Sequence, residues 1–182
     1  MPNTPQRQHL YSSTFPRLQP AENQLLRRVN TQVNRDLTYL PDLQNYGLAD
    51  HHVTEPRVRR PLLVRLPPAR YADCEDFALT KKHRLARAGF SASRMFVATA
   101  SVPDRAGRTI HSVLAVPEGL DWWILNNWHH QIQRASSLER WWDWKFIRPR
   151  YDSYLMARQA RRIAEKNDTA ASAPAADAPA RR

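Results

Sequence analysis

Asp73-Cys74-Glu75-Asp76-Phe77-Ala78-Leu79-Thr80-Lys81-Lys82-His83-Arg84-Leu85-Ala86-Arg87-Ala88-Gly89 is the stretch on which the reading of the fold turns. Acids crowd its start, basic residues fill its end and Gly89 stands where a helix stops, which predicts a helix with Cys74 in its first turn. Phe77, Ala78, Leu85 and Ala88 share one side of it and form an apolar face. Upstream, Leu25, Leu26, Val29, Val33 and Leu37 recur at spacings of three and four, predicting an amphipathic helix from Ala21 with Arg27, Arg28, Gln32 and Arg35 opposite. Between the two helices, Tyr39 to Pro68 holds five prolines and one glycine, Gly47, and reads as a long extended wrap without regular elements.

Downstream the composition becomes that of strands: Met95 to Val102, then Thr109 to Val116 after a glycine-containing turn, then Trp122 to Leu125. Three antiparallel strands after a helix predict an α+β fold. Trp141-Trp142-Asp143-Trp144 forms an aromatic cluster, Tyr151 to Ala164 reads as a basic helix, and an Ala/Pro/Asp low-complexity tail follows. A length of 182 residues suits one domain. We divide the chain into a flexible polar arm (1–20), the domain (21–165) and a disordered tail (166–182).

The formal charge of +11 and a pI near 10.6 raise the question of an acidic partner. The arginines, however, are scattered in ones and twos and form no aromatic-interleaved motif of the RNA-binding type, so nucleic acid is disfavoured and a solvated basic surface is expected. No apolar run approaches the roughly 20 residues of a membrane-spanning helix, and none precedes the domain as a secretory signal, so the chain as written is expected in the cytoplasm. A single cysteine excludes an internal disulfide and leaves one thiol to explain. The oligomeric state is not legible.

Cys74 falls at the first turn of its helix, where free N–H groups and the helix dipole favour a thiolate. Asp73, Glu75 and Asp76 oppose this by setting three carboxylates beside the sulfur. His111 stands within an apolar strand, unlike the other six histidines, and is the candidate base that a thiol nucleophile requires. Asn126, ending the run Trp122-Trp123-Ile124-Leu125, is placed to hold the second ring nitrogen from the neighbouring strand. His51-His52 and His129-His130 lack ligand partners at zinc spacing, and four glycines leave no phosphate-binding loop.

The order Cys74, His111, Asn126, together with Val29-Asn30-Thr31-Gln32-Val33-Asn34, Tyr39, Asp42, Tyr46-Gly47, Asp50, Asp73-Cys74-Glu75-Asp76-Phe77-Ala78 with Lys81 and Leu85, His111-Ser112-Val113-Leu114-Ala115-Val116 and Leu125-Asn126-Asn127, resembles the bacterial transglutaminase-like cysteine proteinases. That family includes a calcium-dependent periplasmic protease that cleaves biofilm adhesins. The resemblance implies a papain-like or transglutaminase-like fold with the nucleophile helix on an antiparallel sheet. It also implies Cys74 as nucleophile, His111 as base and Asn126 where the family pattern has Asp, acting on a protein or peptide substrate by way of a thioester. Calcium, if taken, would map to Asp73 and Glu75. The family's compartment would be the periplasm, against the cytoplasmic or phage-encoded setting that the missing signal suggests. Acyl transfer of the transglutaminase type, and a degenerate basic module that binds protein or nucleic acid, are the alternatives.

Overall fold

The computed structural model describes residues 15–105 and 107–147; the basic helix, the tail and most of the arm expected from the sequence lie outside them. Helix α1 (Pro20–Asp36) starts with proline in its first turn and a capping box between Gln19 and Glu22, so its orphan N–H groups are partly satisfied before the first turn closes. Its buried stripe is Leu26, Val29, Asn30 and Val33. Helix α3 (Cys74–Arg87) is capped by Asp73, whose carboxylate accepts the Asp76 N–H at 3.2 Å. Gly89, at φ +89°, takes the left-handed conformation that ends it, and Ala88, expected on the apolar side, is exposed.

The wrap between the helices is more structured than its prolines suggest. Strand β1 (Thr38–Tyr39) pairs in parallel with β2 (Tyr71–Ala72), setting Tyr39 opposite Ala72. The single-turn helix α2 (Asp42–Tyr46) closes on Gly47 at φ +71°. Five residues are too few for an apolar period to register in sequence, which is why α2 was not expected. The rest of the wrap is irregular but tied: Leu62 and Leu63 N–H donate to Asn45 and Gln44 carbonyls, each at 3.0 Å, and Arg59 bridges Ala69.

Strands β3 (Phe96–Asp104), β4 (Gly107–Glu118) and β5 (Asp121–Leu125) are the three antiparallel strands expected. Two further strands extend the sheet to the order β6-β5-β4-β3-β7: β6 (Gln133–Arg134), just before the short helix α4 (Ala135–Leu138), and β7 (Asp143–Ile147), which carries Trp144 of the aromatic cluster. The fold is α+β, with α1 against α3 and α3 against β4. Alternation along β4 sends Val113 and Ala115 into a cluster with Ala98, Ala100, Ile124 and Trp142, and turns Leu114 and Val116, both fully buried, to the opposite face. Among the described residues no helix is long and apolar enough to cross a membrane.

One polar contact set joins the helical layer to the end of the sheet. Asn30 Nδ2 donates to the carbonyls of His129 (3.1 Å) and His130 (2.8 Å), and Asn34 Nδ2, one turn on, donates to those of Asn126 and His129 (2.8 Å each). Removing the Asn30 amide breaks two of the four hydrogen bonds to the His129 and His130 carbonyls, leaving Asn34 on His129 and the Thr31 hydroxyl on His130 at 3.3 Å, and empties a fully buried side-chain position. Asn30→Ala should therefore lower unfolding free energy by about 1–3 kcal/mol, measured by urea denaturation, while Arg28→Ala on the exposed face should change it by less than about 0.5 kcal/mol.

Candidate active site

Cys74 is the first residue of α3, so its N–H is one of the four at a helix start that lack an intrahelical acceptor. The end of β5 shapes what the sulfur meets. β5 pairs with Leu114 to Glu118 of β4 and stops at Leu125, leaving His111 and Ser112 uncovered by it. The Ser112 backbone turns a hydrogen bond to the Cys74 sulfur, bringing the thiol to the strand that carries His111. Among the described residues the thiol donates to Glu75 Oε2, at 3.1 Å, rather than to His111. Burial, followed by the charge of Glu75 and this hydrogen bond, pushes the thiol well above its ordinary range.

His111 and Asn126 are brought together: Nε2 lies 3.3 Å from Asn126 Oδ1, with both residues buried. The same oxygen accepts the Trp128 backbone N–H at 2.7 Å, which fixes it as the acceptor end of the amide. Nε2 therefore carries the proton and Nδ1 is the basic nitrogen. Trp128 stacks on the imidazole at 4.0 Å and 14°, and Trp142 meets it edge-on at 5.5 Å. These rings keep water from the His111–Asn126 bond. Burial lowers His111 to a pKa of about 4, partly offset by the Asn126 hydrogen bond. In this arrangement thiol and imidazole are both neutral.

Two residues without an expected role complete this region. Lys81, two turns along α3 from Cys74 and fully buried, donates its Nζ to the Leu125 carbonyl at 3.2 Å, tying the end of β5 to the helix just before Asn126. Burial holds its pKa well below the usual lysine range, and any charge it carries disfavours the imidazolium. Asn34 grips Asn126 from the other side through its main-chain carbonyl. An asparagine at helical spacing carries no signal of such a contact in sequence, and neither does a lysine on an otherwise polar-looking turn.

The acids beside the thiol divide between two groups. Asp73 joins Asp42 and Asp76, with one oxygen from each lying within 4.8 Å of the others. Glu75 joins Asp50 and His52, so the two acids expected to share a cation fall in different groups. His52 Nε2 is 3.3 Å from Asp50 Oδ1 and its Nδ1 is 3.7 Å from Glu75 Oε1, a convergence that sequence spacing does not reveal. In the first group Asp42 and Asp76 are buried, and Asp42 Oδ1 and Asp76 Oδ2 lack a hydrogen-bond partner among the described residues. Their other oxygens accept the backbone N–H of His51 and of Val53 (2.5 Å), which fastens the 50–53 loop to the starts of α2 and α3. Burial, then the neighbouring carboxylates, raises Asp73 to about 7; burial raises Asp76 to about 9.

None of the curated proteins compared with the chain matches it. Among solved structures, LapG of Legionella pneumophila superposes with a TM-score of 0.47 at 23% identity, covering 66% of this chain and 61% of LapG. The calcium-bound form of LapG gives a TM-score of 0.47 at 21% identity, with 71% and 64% covered, and the EGTA-treated form 0.47 at 23%, with 66% and 60%. This chain thus spans about three fifths of the length of the LapG structures. The family model described as bacterial transglutaminase-like cysteine proteinase (BTLCP) matches residues 6–148. The order of thiol, imidazole and amide along α3, β4 and β5 stands within that span, and the chain belongs to the bacterial transglutaminase-like cysteine proteinases.

Proposed function

We propose that the chain is a cysteine endopeptidase that cleaves a protein substrate through a thioester on Cys74, with His111 as general base and acid and Asn126 as the residue that orients the imidazole. The observation that carries this reading is the 3.3 Å contact between His111 Nε2 and Asn126 Oδ1, because it leaves Nδ1 as the proton acceptor on the strand the sulfur touches. His111 Nδ1 takes the thiol proton, and the sulfur attacks the carbonyl carbon of the scissile amide. The imidazolium returns the proton to the leaving amine, and water activated by the same nitrogen hydrolyses the thioester. The N–H of Cys74, which has no intrahelical acceptor at the helix start, would donate to the oxyanion.

The cost of forming a thiolate is set by the acids. A hard divalent cation suits the Asp42, Asp73 and Asp76 group, since all three donors are carboxylate oxygens and two buried oxygens there lack partners. Bound, calcium would supply positive charge beside the sulfur and oppose the carboxylates that now disfavour its ionisation. Asp73 is shared between this reading and the family resemblance; Asp42 and Asp76 replace Glu75 as its companions.

Three outcomes test these assignments. Iodoacetamide should label Cys74 faster with calcium than with a chelator, and His111→Ala should slow labelling by about tenfold or more; equal slow labelling in every case would refute the nucleophile–base pairing. Asn126→Asp, by facing the imidazole with a charge, should move the His111 pKa upward from about 4 by about one to three pH units in a proton NMR titration. The cation-free protein should lose thermal stability as pH rises, because carboxyls raised to about 7 and about 9 favour the folded state only while protonated. Calcium at a hundredfold excess over Kd should restore roughly 5–10 °C at pH 8 and much less at pH 5, where protons compete, and Asp73→Asn should abolish the gain.

A further inference from the structure

Of the eleven large apolar side chains left exposed among the described residues, seven fall between positions 39 and 66. Val58, Leu62 and Leu63 are each at least 60% exposed. They are not the loose side chains of a free loop. The backbone bonds from Leu62 and Leu63 to α2 lay this part of the wrap along that helix, whose Leu43 is itself 56% exposed. Leu62 Cδ2 comes so near Gly47 that a Cβ there would sit 3.0 Å away, so Leu62 is seated against the end of α2. An ordered segment that turns several leucines outward offers them to a partner, since a monomer gains nothing from such a cluster in water.

Charge completes the description. From Arg57 to Ala72 the chain contains five arginines and no acid, and Arg57, Arg60, Arg65 and Arg70 are exposed. The fifth, Arg59, lies over the Tyr46 ring at 4.4 Å and braces the wrap on α2. The segment runs directly into β2, one residue short of Asp73-Cys74, and Tyr39, 54% exposed, stands opposite Ala72 in that small sheet. The segment is therefore joined to the thiol along the chain through the buried pair Tyr71-Ala72.

We propose that residues 57–70, with Leu43 of α2, form the docking surface for the substrate, and that they recognise an acidic polypeptide segment bearing bulky apolar side chains near the bond to be cut. This rests on the proteinase reading above and names the class of substrate. Charge complementarity selects the acidic partner, and the exposed leucines select a polypeptide over nucleic acid: aliphatic side chains are poor platforms for stacking bases, and phosphates gain nothing from them.

The test uses the full chain with Cys74→Ala, so that binding is read without turnover. The probes are fluorescein-labelled dodecapeptides in which Glu alternates with Leu, Phe or Val, the same peptides with Lys for Glu, and a single-stranded DNA dodecamer. The acidic peptides should bind in fluorescence anisotropy and weaken by on the order of tenfold as salt rises from about 50 to 300 mM. Arg60→Glu with Arg65→Glu, and separately Leu62→Ser with Leu63→Ser, should each weaken them by a comparable factor while circular dichroism stays unchanged. Preference for DNA, equal binding of the lysine peptides, no binding of the acidic ones, or a dimer that the leucine variants dissociate would overturn the proposal. Fast His111-dependent alkylation of Cys74 alongside any of those results would leave the proteinase reading standing and discard only the docking surface.

Discussion

The structure depends on how negative charge is managed at the start of α3. Asp73 caps the helix, Glu75 accepts the thiol proton's hydrogen bond, and Asp76 is fully buried one residue further on. A helix N-terminus tolerates one or two such groups, but here carboxylates from α2 and the 50–53 loop join them. Without a counter-charge the cheapest arrangement keeps protons on the carboxyls and on the sulfur, which is the state that the raised Asp73, Asp76 and Cys74 values describe. The same packing that collects the acids sets the start of α3 against β4, so the carboxylates proposed to hold a cation and the thiol proposed as nucleophile share one helix start.

The remainder of the site is held from behind. β5 ends at Leu125, its last carbonyl taken by Lys81, and the loop that follows is fixed by Asn34 on one side and by the Trp128 N–H on the other. Asn126 is thereby set with its oxygen toward His111, and the stacked Trp128 shields the bond. Three elements distant in sequence thus converge through main-chain carbonyls, and the Asn126 side-chain oxygen is left to His111 and the Trp128 N–H. The burial that orders the imidazole also lowers its basicity, so its ability to take the thiol proton depends on what is done to the charge around it.

Much of the frame is legible in the residues. The acid-to-base gradient and Gly89 bound α3 closely, and strand composition located β3, β4 and β5. Elements built by tertiary contact were not legible. The five-residue α2 has no period, the two-residue β6 exists because it pairs beside β5, and in β7 the tryptophans masked a strand that pairs with β3. In the site, His111 and Asn126 stood out because each sits on or at the end of an apolar strand. The parts played by Asp42, His52 and Lys81 did not, because each depends on a neighbour 23 to 44 positions away: Asp73 and Asp76 for Asp42, Glu75 for His52 and Leu125 for Lys81.

With one cysteine in the chain, the pairing of Cys74 with His111 can be measured directly, since thiolate absorbance in the ultraviolet reports Cys74 alone once a Cys74→Ser reference is subtracted. With calcium bound, the apparent thiol pKa should fall below the ordinary value of about 8.5, and return to or above it in His111→Ala. A thiol that titrates above that value with calcium present, and is indifferent to His111, would contradict the pairing of these two residues.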